Sequence, residues 1–303
     1  MSRDSSSPIA LGLLLSVIGS ILFSAKAIVV KLAYQGSADP YTFLALRMVF
    51  AFPFFLLALF WHSRKTPLVR LSKKELLHVL FMGFIGYYLS SLFDFVGLQY
   101  LSAGLERIIL YLSPTLVLLI SGVVLKKKII WQQWLALGIA YAGVIIVFID
   151  HVSWTNTSSI GAVFVFCSAL TYAVYLIMAG ELVKRIGSIP LVCYASTGSM
   201  VCSVIQALII SPGNLIHQDA SIYVLSLFNA SFCTFIPMVL IMVSVSRIGS
   251  ALSAQAGMAG PVATIFLGWW FLGEVPGAFQ VIGTVVVLAG VALLLSARQK
   301  KSQ

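Results

Sequence analysis

Five ionisable side chains lie inside otherwise apolar stretches of this sequence. Asp94, Glu106 and Arg107 flank a short turn rich in Gly and Ser. Lys26 and Arg47 interrupt two earlier apolar stretches. At a rise of 1.5 Å per residue, all five come at one depth of a bilayer, roughly 6–12 Å beyond its midplane and away from the cytoplasm. Charges at that depth are costly unless they are paired or face a polar space, so we expect a shared polar chamber.

Two roles for the five charges follow from their number. The three cations outnumber the two acids, which leaves one surplus positive charge for a substrate carboxylate to neutralise. Lys26 is the predicted anchor for that carboxylate, because Arg47 and Arg107 can be held in bidentate pairs by the two acids. Asp94 and Glu106 are the candidate proton carriers. The alternative, equally open here, is an ion-pair network that only locks four helices together.

Other polar and aromatic residues are candidates for lining the same chamber. Tyr87 shares a helix face with one of the acids, and Tyr111 and Gln255 are further candidate substrate contacts. Residues of these types pack in a core more often than they bind a ligand. Pro114 and Pro261 lie near mid-membrane, where each removes a backbone N–H donor. They are either hinges or fixed kinks. If they shape a moving element, replacing either by alanine should alter the transport rate more than the protein abundance.

The amino-acid composition indicates a membrane protein. The chain has 303 residues, of which 60% are hydrophobic and only 9% charged, and its mean hydropathy is +1.03. A membrane helix needs about 20 apolar residues, and ten such segments occur with short connections. The ten segments are 8–34, 41–61, 76–98, 102–125, 129–149, 160–183, 190–210, 221–244, 250–272 and 277–297. We therefore predict an all-α membrane protein with ten transmembrane helices.

The basic residues indicate how the chain is oriented. Fifteen of the 19 Lys and Arg residues fall on one side of the predicted membrane, whereas the opposite loops carry Asp39, Asp150 and Asp219. Cytoplasmic loops are enriched in Lys and Arg, so both termini are predicted to be cytoplasmic in a multi-pass protein of the cell inner membrane. The same rule explains the net charge of +10 without a nucleic-acid partner.

An internal repeat appears when the chain is shifted by 147 residues against itself. The shift aligns Pro114 with Pro261, Gln133 with Gln280 and Gly143 with Gly290. We predict two five-helix units, residues 1–150 and 151–303. Because five is odd, the second unit must lie upside down relative to the first. Inverted repeats are the architecture expected for alternating access.

The ordered set of these features resembles the EamA family of the drug/metabolite transporter superfamily. The residues that carry the resemblance are Leu46-Arg47, Ala103–Pro114 with Gln133 and Gly143, then Ser250–Pro261 with Glu274, Gln280, Gly283 and Gly290. One departure is Lys127, where the family often has an acidic residue after the fourth span. The resemblance implies ten helices, cytoplasmic termini and secondary transport of small metabolites, commonly export of amino acids or related compounds.

Patterns typical of enzymes are missing from the sequence. The four histidines are scattered without metal-ligand spacing or a nucleophile partner, and no P-loop motif occurs. We predict no catalytic residue, no metal and no cofactor, and hence no enzyme. The predicted function is a secondary transporter whose partners are a small metabolite, the lipid bilayer and protons as the candidate coupling ion. The alternatives are a membrane-embedded enzyme or a non-transporting scaffold, and the choice between monomer and homodimer stays open.

Overall fold

Every regular element that the structure describes is a helix. The computed structural model describes residues 6–110, 112–124, 131–150, 156–257, 260–275 and 277–299. The α-helices in these ranges are α1 Ser6–Gln35, α2 Pro40–Lys65, α3 Lys73–Gly83, α4 Ser90–Leu98, α5 Ala103–Leu110, α6 Ser113–Val124, α7 Trp131–Asp150, α8 Asn156–Ile186, α9 Ser188–Ile210, α10 Ala220–Ala230, α11 Ile236–Ile248, α12 Ser250–Ala256, α13 Gly260–Leu272 and α14 Ala278–Gln299.

Local sequence explains where several of these helices begin and end. Asp39 caps α2, accepting hydrogen bonds from the next amides at 2.9 and 3.0 Å, and Pro40 occupies the first turn. Ser72 and Glu75 form a reciprocal capping box at the start of α3. Gly249 ends α11 with φ of +83°, a backbone conformation that glycine adopts without steric cost. Short polar and glycine signals therefore set the helix boundaries.

Seven apolar stretches within the described residues are long enough to cross a membrane. They are Ile9–Gln35, Pro40–Lys65, Lys73–Leu98, Ala103–Val124, Ser159–Ile186, Ser188–Ile210 and Ala220–Ile248. Shorter apolar helices cover Trp134–Gly143 and Ala263–Leu272. The prediction of an all-helical protein with several membrane spans is confirmed. The predicted count of ten stays a prediction, because the structure describes the three remaining segments only in part.

Irregular turns recur at matching places in the two halves of the chain. Two of the long spans contain a π-helical turn, Phe84–Leu89 and Ser231–Phe235. These turns begin 147 residues apart, as do α6 and α13, each of which follows an interruption of its helix. A π-helical turn often marks a functional position in a helix. The sequence offset found above therefore also relates the irregular points of the backbone.

Helices of one half pack mainly against helices of the other. The most extensive contacts are those of α7 with α14, α2 with α9, α1 with α11, and α4 with α8. A shift of 147 residues places α1 on α8 and α4 on α11, so it converts the pair α1–α11 into the pair α8–α4. Glycines permit the close approach in places, since a Cβ added to Gly83 would lie 2.7 Å from the Cα of Ala195 and closer still to its carbonyl oxygen. This packing leaves an internal space bordered by α1, α4, α5, α8, α11 and α12.

Candidate functional site

A cavity of about 120 Å³ lies between the two halves of the chain. Two cations, Lys26 of α1 and Arg107 of α5, line it together with several serines. Tyr87, carried by the first π-helical turn, and Tyr172 of α8 supply aromatic surface. The predicted polar chamber thus corresponds to a cavity with two positive charges in its lining.

Lys26 and Asp94 form a buried ion pair that links α1 to α4. The ammonium group of Lys26 donates to Oδ2 of Asp94. It also lies 5.4 Å from the ring centroid of Phe23, within the range of a cation–π contact. Asp94 is fully buried and does not line the cavity, whereas Lys26 does. The pair therefore presents its positive member to the cavity and keeps its negative member behind it.

Arg107 is held by neutral partners rather than by an acid. Its Nε donates to Thr264 Oγ1 at 3.1 Å, and its Nη2 donates to the carbonyl of Phe23 at 2.7 Å. Glu106 Oε2 lies 3.9 Å from Nε, too far for a hydrogen bond. The expected bidentate pairing is thus wrong for Arg107, because Glu106 and Arg107 are successive residues of one helix and point in different directions. Arg107 instead ties α5 to α1 and α13.

Arg47 is fully buried away from the cavity lining. Its guanidinium carbon lies 4.8 Å from the ring centroid of Phe95, and Nη2 makes a weak contact with Met48 Sδ at 3.7 Å. Nε and Nη1 have no hydrogen-bond partner among the described residues. The expectation of a bidentate acid partner is therefore wrong for Arg47 as well. Arg47 does not line the cavity, but it lies close enough to Asp94 to interact with it electrostatically.

The two acids lie next to each other behind the cavity wall. Asp94 and Glu106 interact electrostatically, and both are fully buried. Asp94 Oδ1 and both oxygens of Glu106 receive no hydrogen bond from a nitrogen or hydroxyl group of the described residues. Two adjacent carboxyl groups can share one proton, because a protonated carboxyl donates to an ionised one. The role of proton carriers that the sequence suggested for the two acids stays a prediction.

The remaining predicted site residues are only partly described. Tyr87 lines the cavity, and its hydroxyl hydrogen-bonds to the hydroxyl of Tyr175 on α8. Tyr111 lies outside the described residues. The side chains of Gln255, Pro114 and Pro261 also lie outside the part of the chain that the structure describes. Tyr111 and Gln255 therefore stay predictions.

The backbone shows where the two prolines fall. Pro114 is the second residue of α6, and Pro261 is the second residue of α13. Proline is well tolerated in a first turn because its missing N–H would have no helical partner there. Both positions match the predicted breaks in these two spans. Whether the breaks act as hinges or as fixed kinks stays a prediction.

Serines of α1 bind the backbone around the second break. Ser16 donates to the carbonyl of Ser253 at 2.6 Å, and Ser24 donates to the carbonyl of Gly260 at 2.9 Å. Between them, Ser20 donates to the carbonyl of Gly257. In a continuous helix that carbonyl would accept from residue 261, which as a proline has no N–H. The hydroxyl of Ser20 therefore replaces the hydrogen bond that Pro261 removes.

Sequence reasoning missed the apolar lining that the second half supplies. Leu176 of α8 and Met238 of α11 line the cavity. The repeat could have identified part of this lining, because the 147-residue shift relates Met238 to Ser91, which also lines the cavity. It relates Gly257 to Leu110 in the same way. Equivalent positions of the two halves thus meet at one site.

These features define a multi-pass helical membrane protein with a charged cavity between its two halves. A model of the EamA-like transporter family matches the chain twice, over residues 10–149 and 159–296. The chain belongs to the EamA-like transporter family, as the resemblance predicted. The family match extends over both predicted units of the chain.

Individual proteins that are similar to this chain are also named as transporters or exporters. An uncharacterized transporter, YcbK of Bacillus subtilis (strain 168), is 34% identical over 90% of this chain and 89% of its own length. A Streptantibioticus cattleyicolor protein named "Probable terminal-alkyne amino-acid exporter" is 22% identical over 65% of this chain and 66% of its own. A solved crystal structure shares the fold, with a TM-score of 0.77 over 96% of this chain and 98% of its own, at 16% identity. The chain is a membrane transporter.

Proposed function

We propose that this chain is a secondary transporter that moves small metabolites with an anionic group across the cell membrane by alternating access. Amino acids or related compounds are the proposed substrates, and export is the proposed direction, in keeping with the name of one distant relative. The observation that carries the proposal is the cavity between the halves, lined by Lys26 and Arg107. Transporter sites typically lie at such an interface between repeats.

The charged cluster offers a way to couple an anion to a proton. A ligand carboxylate at Lys26 competes with Asp94 for the same ammonium group, and Asp94 also interacts with Glu106, which does not line the cavity. Asp94 released from Lys26 would bind a proton more readily, since its favourable charge partner is lost. Anion binding and protonation then favour each other, as linkage requires.

The inverted arrangement of the halves is also part of the proposal. It is supported by the two family matches, by the common offset of the π-helical turns, and by the exchanged pairs α1–α11 and α8–α4. Units 1–150 and 151–303 would then cross the membrane in opposite senses, with both termini cytoplasmic. Alternating access follows when the halves exchange their conformations around the fixed cavity.

Reporter fusions along the chain test this orientation. A reporter active only outside the cytoplasm should give signal after Asp150 and Asp219, because loops without Lys or Arg are translocated. Fusions after Arg70, Lys127 and Arg185 should instead be active with a cytoplasmic reporter. Paired reporters at each site control for expression. A cytoplasmic signal at Asp150 would contradict the five-plus-five arrangement.

Proteoliposomes test the transport function itself. Purified protein should carry radiolabelled carboxylates or amino acids into preloaded vesicles by saturable counterflow, and a pH gradient should change the rate. Lys26→Met should lose this flux, while Lys31→Met on the same helix should keep it, because Lys31 does not line the cavity. No flux above protein-free vesicles for any of these solutes would count against the proposal. It would favour a membrane-embedded enzyme or a scaffold.

A further inference from the structure

The cavity is chemically asymmetric although its two halves are related by the repeat. Both lining cations belong to the first half of the chain. The shift of 147 residues pairs Lys26 with Ala173, Ser91 with Met238, Asp94 with Ile241 and Arg107 with Ala254. At these positions the first half carries charged and polar groups and the second half carries small or apolar side chains. Asp94 and Ala173 do not line the cavity, and the second half contributes Ser168 and Ser253 but no described cation to the lining. A ligand that fills this space meets both kinds of surface.

The acidic residues of the chain are placed where a bound ligand cannot use them. Of its nine Asp and Glu residues, only Asp94, Glu106 and Glu181 fall inside the ten apolar segments of the sequence. None of the described residues that line the cavity is an Asp or a Glu. Neither Asp94 nor Glu106 lines the cavity, and Asp94 is already bound by Lys26. A ligand ammonium group would find two cations and no free carboxylate.

We propose that the cavity selects apolar monocarboxylates that lack a free ammonium group. This inference rests on the proposed transport function and, within its class of amino acids and related compounds, favours the related carboxylates over the amino acids themselves. The carboxylate binds at Lys26 and Arg107, and the apolar body packs against Leu176, Met238 and Ile241. A cavity of about 120 Å³ is close to the roughly 150 Å³ that accommodates benzene, which suggests ligands of about six to nine non-hydrogen atoms.

An amino acid of the same carbon skeleton should bind more weakly for two reasons. Its ammonium group is repelled by the nearby cations in surroundings of low dielectric constant. The group also loses hydration without gaining a charged partner, which is unfavourable for any buried ion. Hydroxyl groups of the lining serines can accept hydrogen bonds through their lone pairs, but they carry no charge to offset the repulsion. We expect at least a tenfold difference in affinity between the two ligands, an order-of-magnitude figure based on this uncompensated charge.

Three probes of one carbon skeleton separate the contributions of the two charges. They are 4-methylpentanoate, its neutral amide 4-methylpentanamide, and L-leucine. Isothermal titration of each into the purified full-length protein should rank 4-methylpentanoate first, with the amide and leucine at least about tenfold weaker. In Lys26→Met the acid should lose its advantage over the amide. In Lys31→Met, the matched control, the wild-type ranking should persist.

The outcomes distinguish failure of this inference from failure of the transport proposal. Leucine binding as tightly as 4-methylpentanoate, or more tightly, overturns the inference, and counterflow of leucine would then still support transport. An amide that binds as well as the acid overturns it too, because the carboxylate would contribute nothing. Absence of saturable binding by all three probes to wild-type protein also overturns it. The order of the three affinities for the wild-type protein tests the inference even if Lys26→Met fails to fold.

Discussion

Replacing Asp94 with asparagine is expected to lower the yield of folded protein sharply and to abolish flux. The substitution conserves volume but leaves the ammonium group of Lys26, only 5% exposed, without its charge partner. Breaking a buried ion pair in this way typically costs about 3–5 kcal/mol. Fluorescence-detected size-exclusion chromatography and thermal melting in detergent measure the loss of folded protein, and counterflow in proteoliposomes measures the flux.

A second substitution separates a structural role of the pair from a functional one. Asp94→Asn combined with Lys26→Met removes both charges and should restore most of the folded protein, because no unpaired buried charge remains. The double variant should still be inactive, since the proposed carboxylate anchor is gone. A double variant with wild-type flux would show that the pair only holds α1 and α4 together.

Glu106, the acid next to Asp94, can be replaced to test protonation without breaking the ion pair between Lys26 and Asp94. Glu106→Gln retains a donor that can bond to Asp94 but cannot release a proton. We expect normal abundance with a flattened dependence of flux on pH. A pH profile that matches the wild type would exclude Glu106 as a proton carrier.

Replacing Gly83 with alanine is expected to destabilise the protein by about 3 kcal/mol, the upper part of the range for overpacked cores. The added Cβ would overlap the backbone of Ala195 on α9, and a backbone carbonyl cannot move aside as a flexible side chain does. The predicted readout is a large fall in melting temperature and in the amount of monodisperse protein in detergent.

Gly138 provides the matched control for this substitution. It also lies within a helix, α7, but a Cβ there meets no atom within 4 Å. Gly138→Ala should therefore be neutral or slightly stabilising, by up to about 1 kcal/mol, because alanine favours the helix. Equal melting temperatures for the two alanine variants would contradict the close packing of α3 against α9.

The asymmetry of the cavity links these structural details to selectivity. Duplication of a five-helix unit would at first give two equivalent sets of lining positions. In this chain the lining cations are Lys26 and Arg107, whereas Ala254, offset from Arg107 by 147 residues, also lines the cavity but carries no charge. The proposed site can thus hold a ligand in one orientation, since only one side of the cavity attracts its anionic group.

Several properties of this protein were determined by the sequence alone. Long apolar runs require membrane helices, and the rise per residue sets the depth of Lys26, Asp94 and Arg107 within them. The prolines and the 147-residue repeat identified the broken spans and the family, which the EamA-like match confirmed. These are properties of single helices or of chain order, so they can be read without knowing how the helices pack.

Only the tertiary structure decided which of the charges meet. Arg47 is predicted to share the depth of Lys26 but faces Phe95 instead of the cavity, and Arg107 binds Thr264 and a backbone carbonyl in place of an acid. Depth along one helix does not specify the direction in which a side chain points toward its neighbours. That direction depends on contacts between segments far apart in the chain, such as Ser20 with Gly257 across 237 positions. That Lys26 and Arg107 are the cations that line the cavity is therefore a consequence of helix packing.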